Sequence, residues 1–157
     1  MIEPSLATIK DRATTIPDPR IGVGAGALVI NESNKVLLLQ RPNSLIFDGG
    51  LWSQPGGALE FGEDPMRATI RHLEREVGIV AKSLKLLTVH SHISEHQPHD
   101  IHWISICYLC TDFTGFPDRW EGCVDLNWDW FPITSLPSSL TEYTEVSLQA
   151  FFQRLRA

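Results

Sequence analysis

A chain of 157 residues has room for one domain with a real core and too little for two. With 43% hydrophobic and 20% charged residues it is a folded chain, and a net charge of −6 argues against a general nucleic-acid binder, which would carry a basic stripe. No apolar run reaches membrane-spanning length and the start lacks a signal-peptide pattern, so the expected setting is cytoplasmic, with no membrane and no nucleic-acid polymer among its partners.

Residues 1–19, restricted by Pro4, Pro17 and Pro19 and poor in apolar side chains, are expected to form an N-terminal arm ahead of a single domain over 20–157. Gly22 to Ile30, GVGAGALVI, reads as a strand whose glycines permit close backbone approach. Its G-x-G pattern is a weak dinucleotide signal because no helix start follows; Val36 to Arg41 instead continues as a second strand after the turn Glu32-Ser33-Asn34, which predicts a hairpin. A loop over Pro42 to Leu51 leads into Trp52-Ser53-Gln54-Pro55-Gly56-Gly57, with the two glycines expected to make a turn that exposes bare backbone to a ligand.

The next element is well punctuated. Asp64 is a cap, Pro65 suits the first helical position and Gly78 suits the stop, which predicts a helix over about 65–77. At helical spacing Met66, Ile70, Leu73 and Val77 form an apolar stripe, while Ala68, His72, Arg75 and Glu76 gather on the other side. Leu84 to Val89, Ile101 to Leu109 and Asn127 to Phe131 read as strands, and Leu148, Phe151, Phe152 and Leu155 mark a terminal helix packed on the core. Cys107 and Cys110 imitate a C-x-x-C motif, but on a strand residues three apart point to opposite faces, so they read as buried small hydrophobes.

An anionic ligand such as a phosphate is neutralised by a cation on its oxygens, and magnesium is held by few carboxylates together with carbonyls and water. Glu76 on the polar helix face and Glu63 just before the helix offer carboxylates, and His72, four residues before Glu76, stands at a spacing able to grip a metal. An imidazole ligand favours manganese, zinc or cobalt; the alternative is a polar surface histidine. Arg75 either pairs with phosphate oxygens or points into solvent.

Gly57 to Ile79, GALEFGEDPMRATIRHLEREVGI, resembles the Nudix box G-x5-E-x7-R-E-U-x-E-E-x-G-U, with U aliphatic: Gly57, Glu63, Arg71, Leu73, Glu76, Gly78 and Ile79 match at their spacings. His72 and Arg75 stand where the box has glutamates. GVGAGALVI, LWSQPGGALEFGE, HDIHWISICYL and NWDWFPITSLP extend the likeness over roughly Ile21 to Pro137, towards the nucleoside-triphosphate diphosphatase branch of the MutT-like Nudix hydrolases. The resemblance implies an α/β fold, the Nudix α/β/α sandwich with a mixed sheet between helices. It implies a hydrolase that cleaves the diphosphate linkage of a nucleoside triphosphate or related nucleoside diphosphate derivative, with Mg²⁺ as cofactor or Mn²⁺ in its place.

Carried over by position, the metal contacts fall on the Gly56 carbonyl and Glu76, with His72 added from its spacing. The catalytic set is Glu76, Glu63, Arg71, which is expected to orient Glu63 and Glu76, and Glu95, an extra loop carboxylate from the histidine-rich segment HSHISEHQPHDIH. That segment otherwise reads as a solvated hairpin loop. Gly57, Arg75, Trp128 and Trp130 are the substrate-binding candidates, the tryptophans either stacking on a base or packing in the core. The partner is a small-molecule diphosphate or nucleotide, and a homodimer is open, as in many relatives. Two alternatives remain: a non-nucleotide diphosphate such as an isoprenoid, covered by Leu45-Ile46-Phe47 and Leu51-Trp52, or a non-catalytic binder of a phosphorylated ligand.

Overall fold

Strand β1 (Ile21–Val29) sits second in a four-stranded sheet, between β4 (Gly56–Ala58) and β6 (His99–Thr114), with β5 (Val80–His96) at the far edge. It runs antiparallel to β4 and parallel to β6, while β5 and β6 form a long antiparallel pair. A second sheet places β2 (Lys35–Gln40) between β3 (Trp52–Ser53) and β7 (Asn127–Pro132), all antiparallel. Helices α1 (Pro65–Val77) and α2 (Glu142–Arg156) are the helices among the described residues. This computed structural model describes residues 21–45, 48–96, 99–115, 117 and 127–157, and of residues 94–96 and 99–100 the backbone alone. The expected N-terminal arm therefore lies outside the described residues.

The two sheets form a middle layer that is apolar on both sides. Along β2, Leu37 and Leu39 join Leu73 and Val77 of α1, with Ala27, Val29, Tyr108 and Cys110, in one core cluster. Val36 and Leu38 face the other way and join Leu148 and Phe151 of α2, with Leu28, Ile30 and Cys107. A strand buried on both faces reads as a continuous apolar run, as VLLL does, because both alternating side-chain rows are covered. The result is a helix layer on either side of mixed sheet. Cys107 and Cys110 fall in different clusters as unpaired buried thiols, and burial pushes the Cys110 thiol up to about 11, which keeps it an inert thiol at neutral pH.

Three local expectations change. The turn after β1 is built by Asn31, whose Oδ1 accepts from the Ser33 and Lys35 amides, and by Asn34 at φ 55°. It reverses the chain, but β1 and β2 share only the bridge Ile30–Val36 and then separate into different sheets, so the hairpin exists only at its base. Gly56 and Gly57 belong to strand β4 rather than a turn. A methyl at Gly26 would stand 2.4 Å from the Pro55 carbonyl oxygen, and one at Gly56 would stand 2.6 Å from that of Ala25, so both glycines are required for β1 and β4 to meet. The histidine-rich segment is strand as far as His96, not a loop.

Helix α1 keeps its predicted limits because its punctuation is local. The Asp64 carboxylate accepts from the Arg67 amide at 3.0 Å, Pro65 opens the helix, and Gly78 at φ 64° closes it with the Gly78 and Ile79 amides returned to Glu74 and Leu73. Its buried side is Ala68, Thr69, Leu73 and Val77. Met66 of the expected stripe is 42% exposed, and Ala68, expected on the open side, is fully buried. The helix packs against β1 and β4 as well as β5, so its inner face is wider than an apolar count reveals.

Candidate active site

Glu63, one residue before the cap, turns back onto α1. Both its carboxylate oxygens accept from Arg71, at 2.8 Å each, a bidentate pair in which the two side chains are only 14% and 19% exposed. Arg71 also donates to the Ala58 carbonyl at 3.1 Å and reaches Glu60 at 3.6 Å. The Arg71 hydrogen bonds hold the Glu63 carboxyl down at about 2, and Glu63 in turn raises the Arg71 pKa. A carboxylate so firmly ionised is a poor acceptor of a proton, so its role in this geometry is to fasten the β4–α1 loop to the helix. Of the two expected Arg71 partners, Glu63 is engaged; Glu76 is held by other groups.

Those groups are Gly56 and His72. The Gly56 amide donates to one Glu76 oxygen at 3.3 Å, and His72 Nδ1 lies 3.4 Å from the other. His72 Nε2 lies 3.0 Å from the Ala58 carbonyl oxygen. Both ring nitrogens thus face oxygen acceptors, an arrangement that suits the doubly protonated imidazolium. Burial works against that charge, but the Glu76 carboxylate and the Ala58 carbonyl outweigh it and raise the His72 pKa. As placed, both ring nitrogens of His72 face oxygens of Glu76 and Ala58, and none is left for a metal unless one of these contacts breaks. Arg75 is exposed in the last turn of α1, where its charge complements the helix C-terminus. It borders neither cavity of the site.

Two cavities adjoin these residues. The smaller, about 170 Å³, is bordered by Glu76, Gly56, Ser53, Gln40, Arg41 and Tyr143. The larger, about 300 Å³, continues over the sheet past Gly24, Gly57, His92, Trp103 and Ser105, and shares Arg41, Leu45, Gln54, Gly56 and Tyr143 with the first. Gly57 is therefore part of the lining. Trp128 and Trp130 are not; both pack against the inner core cluster, and Trp130 stacks on Phe113 at 6.1 Å. The indole that does border the cavity belongs to Trp103, which lies so closely on β1 that a methyl at Gly22 would stand 2.9 Å from its ring. Leu45 lines the cavity, whereas Trp52 packs edge-on against Phe131 and Ile46 and Phe47 lie outside the described residues. Glu95 pairs through its backbone with Asp100; its side chain lies outside the described residues. Arg41, Trp103 and Tyr143 had no motif to announce them, since only the folded sheet brings them to one opening.

A model of the NUDIX domain matches residues 20–153, and the chain belongs to the Nudix family. Among its relatives, the 8-oxo-dGTP diphosphatase of Escherichia coli (strain K12) is 30% identical over 125 residues, covering 75% of this chain and 91% of that protein. Nudix hydrolase 7 of Arabidopsis thaliana is 41% identical over 66 residues, 41% of this chain and 23% of the plant protein. The chain spans 60% or less of several other curated relatives it matches. In three dimensions it is similar to the MutT NUDIX hydrolase from Burkholderia pseudomallei, with a TM-score of 0.74 and 32% identity over 83% of this chain and 98% of that one. These likenesses place it on the MutT-like side of the family, and the fold is the Nudix α/β/α sandwich. Among the described residues no helix is long and apolar enough to cross a membrane.

Proposed function

We propose that this chain is a hydrolase of a diphosphate linkage in a nucleoside triphosphate or related nucleoside diphosphate derivative, dependent on a single divalent ion, Mg²⁺ or Mn²⁺. The observation that carries this reading is the adjacency of the two cavities, which share Arg41, Leu45, Gln54, Gly56 and Tyr143: a cleft bordered by Glu76 lies beside a roomier chamber lined by Gly24, Gly26, Gly57 and the Trp103 indole. A charged end and a flat, aromatic-lined end suit a phosphate chain attached to a base. The reaction adds water across one P–O bond, giving two phosphate products and releasing a proton.

The donors present fit one ion better than several. Of the carboxylates at the box positions, Glu63 is held by Arg71 and two others are replaced by His72 and Arg75, leaving Glu76 beside the Gly56 backbone. One carboxylate, a carbonyl, water and substrate phosphates form a sufficient set for magnesium. Such an ion supplies positive charge to the phosphate oxygens. Arg41 sits where the cavities meet and can neutralise the same oxygens, and Glu95 is carried as the additional carboxylate.

The His72–Glu76 contact favours a second reading, a site that binds a phosphorylated ligand without cleaving it, because the imidazole already stands beside the carboxylate a metal would need. Phosphate and pyrophosphate release should be measured on a panel of nucleoside triphosphates, dinucleotides and prenyl diphosphates, with Mg²⁺ or Mn²⁺, for the wild type and Glu76→Ala. Turnover that disappears in the variant supports the hydrolase. No turnover above the variant with any substrate or metal overturns it in favour of the binding reading.

A further inference from the structure

Away from the box, β5 brings two histidines to one side of the sheet. His90 and His92 are two residues apart, so both project from the same face, and their partners across β6 are Ser105 and Trp103. That is the face of the larger cavity, whose lining includes His92, Trp103 and Ser105. Over this face comes the first turn of α2. Its position is fixed by two backbone bonds that tie the chain to β3, from the Trp52 amide to Ser139 and from the Thr141 amide to Trp52, and by Thr144, whose hydroxyl oxygen accepts from the Gln54 amide. Glu142 follows directly on the Thr141 cap.

The consequence is a convergence of three donors from sequence positions fifty residues apart. His90 Nε2 lies 3.3 Å from Glu142 Oε1, His92 Nδ1 meets Glu142 Oε2, and one donor atom from each of the three residues lies within 4.8 Å of the others. The two histidine side chains are 20% and 17% exposed, half-sunk beside a carboxylate that is open to solvent. His92 Nδ1 is itself buried and, although within ion-pairing reach of Glu142, makes no hydrogen bond of acceptable geometry. A buried ring nitrogen normally has such a bond, and a cation between His92 Nδ1 and the Glu142 carboxylate would satisfy both.

We propose that His90, His92 and Glu142 form a transition-metal site separate from Glu76. Two imidazoles and one carboxylate are the donors of borderline ions, Zn²⁺, Mn²⁺, Fe²⁺ or Co²⁺, and too rich in nitrogen for Mg²⁺. Three protein ligands leave a further coordination position. Of the three, His92 borders the larger cavity, and Tyr143, next to Glu142, borders both. The inference stands whether or not the Glu76 cleft is catalytic.

The test is a titration of the full chain with Co²⁺ alone, read by its visible ligand-field absorption, which reports imidazole and carboxylate coordination and needs no turnover. The wild type should bind Co²⁺ with such a spectrum, Glu76→Gln should keep it, and His92→Ala, His90→Ala and Glu142→Gln should each weaken binding by at least about tenfold. Glu142 is a surface residue, so Glu142→Gln remains informative if a histidine variant fails to fold. The proposal is overturned by no Co²⁺ spectrum in the wild type, by unchanged binding in Glu142→Gln, or by loss confined to Glu76→Gln.

Discussion

The imidazole of His72 lies against the backbone of Gly57 so closely that a methyl group there would stand 2.5 Å from Cε1 and 2.8 Å from Nε2. The glycine at the head of the box is therefore a space requirement set by a side chain on the following helix. Because the same ring spans Glu76 and the Ala58 carbonyl, Gly57 controls whether that span can form. Gly57→Ala should cost about 1–3 kcal/mol in chemical denaturation, as overpacking does. The cost should shrink in a His72→Ala background, where the clashing ring is absent. Equal costs in both backgrounds would remove the contact from the explanation.

Replacing His72 by glutamate, the residue of the box, tests its part as counter-cation. Without metal, His72→Glu loses the partner of Glu76 and places two carboxylates side by side, so it should be less stable by roughly 1–3 kcal/mol. With Mn²⁺ the order should reverse: two adjacent carboxylates bind the ion more tightly, by about tenfold or ~1.4 kcal/mol, than Glu76 beside an imidazolium. Calorimetric titration with Mn²⁺ and thermal melts with and without the ion read both halves. A variant that binds Mn²⁺ no better than wild type would show that the imidazolium does not limit the metal.

Helix α1 and the Glu63–Arg71 pair were legible in the sequence because their determinants are local. A cap, a first-position proline, a glycine stop and an eight-residue reach lie within one short segment. The Asn31 turn was also legible, but a turn specifies only a reversal, and the long-range pairing of β1 with β6 decides that β1 and β2 part. The tryptophans show the same limit. Trp128 and Trp103 are both strand residues in alternating patterns, and only the β5–β6 and β2–β7 registers send one to the core and the other to the cavity. Glu142 and His92 have no sequence relationship at all; α2 has to dock before they meet.

Acid should weaken the fold through Glu63. Its folded pKa, about 2, lies below the ordinary 4.5, so its contribution is complete above pH 4.5 and is lost as the pH falls through about 2. Removing Glu63 costs Arg71 its bidentate partner and leaves it the Ala58 carbonyl and the more distant Glu60. Glu63→Gln should therefore be clearly less stable than wild type near neutral pH, and the two stabilities should converge as the solution is taken from 4.5 towards 2. Urea denaturation of both proteins across that range measures it. A difference independent of pH would mean that the amide loses packing and not charge.

Trp103 carries the last prediction, since it is the one described indole that borders the cavity. Its ring rests on Gly22, with Gly24 beside it, and no side chain on β1 stands between it and the chamber. If the chamber takes the base of a nucleotide, Trp103→Ala should raise KM by roughly tenfold or more, the usual loss of ~1–3 kcal/mol per stacked base, while leaving kcat nearly unchanged because the ring does not border the Glu76 cleft. Gly22→Val should act in the same direction by pushing the ring off β1, where the added carbon has only 2.9 Å. Trp128→Ala, by contrast, should lower stability through the core and leave KM as it is, because Trp128 packs against the inner cluster. Steady-state kinetics on the best substrate of the panel, paired with thermal melts, separates these outcomes. A KM effect from Trp128 with none from Trp103 would move the base to the other side of the sheet.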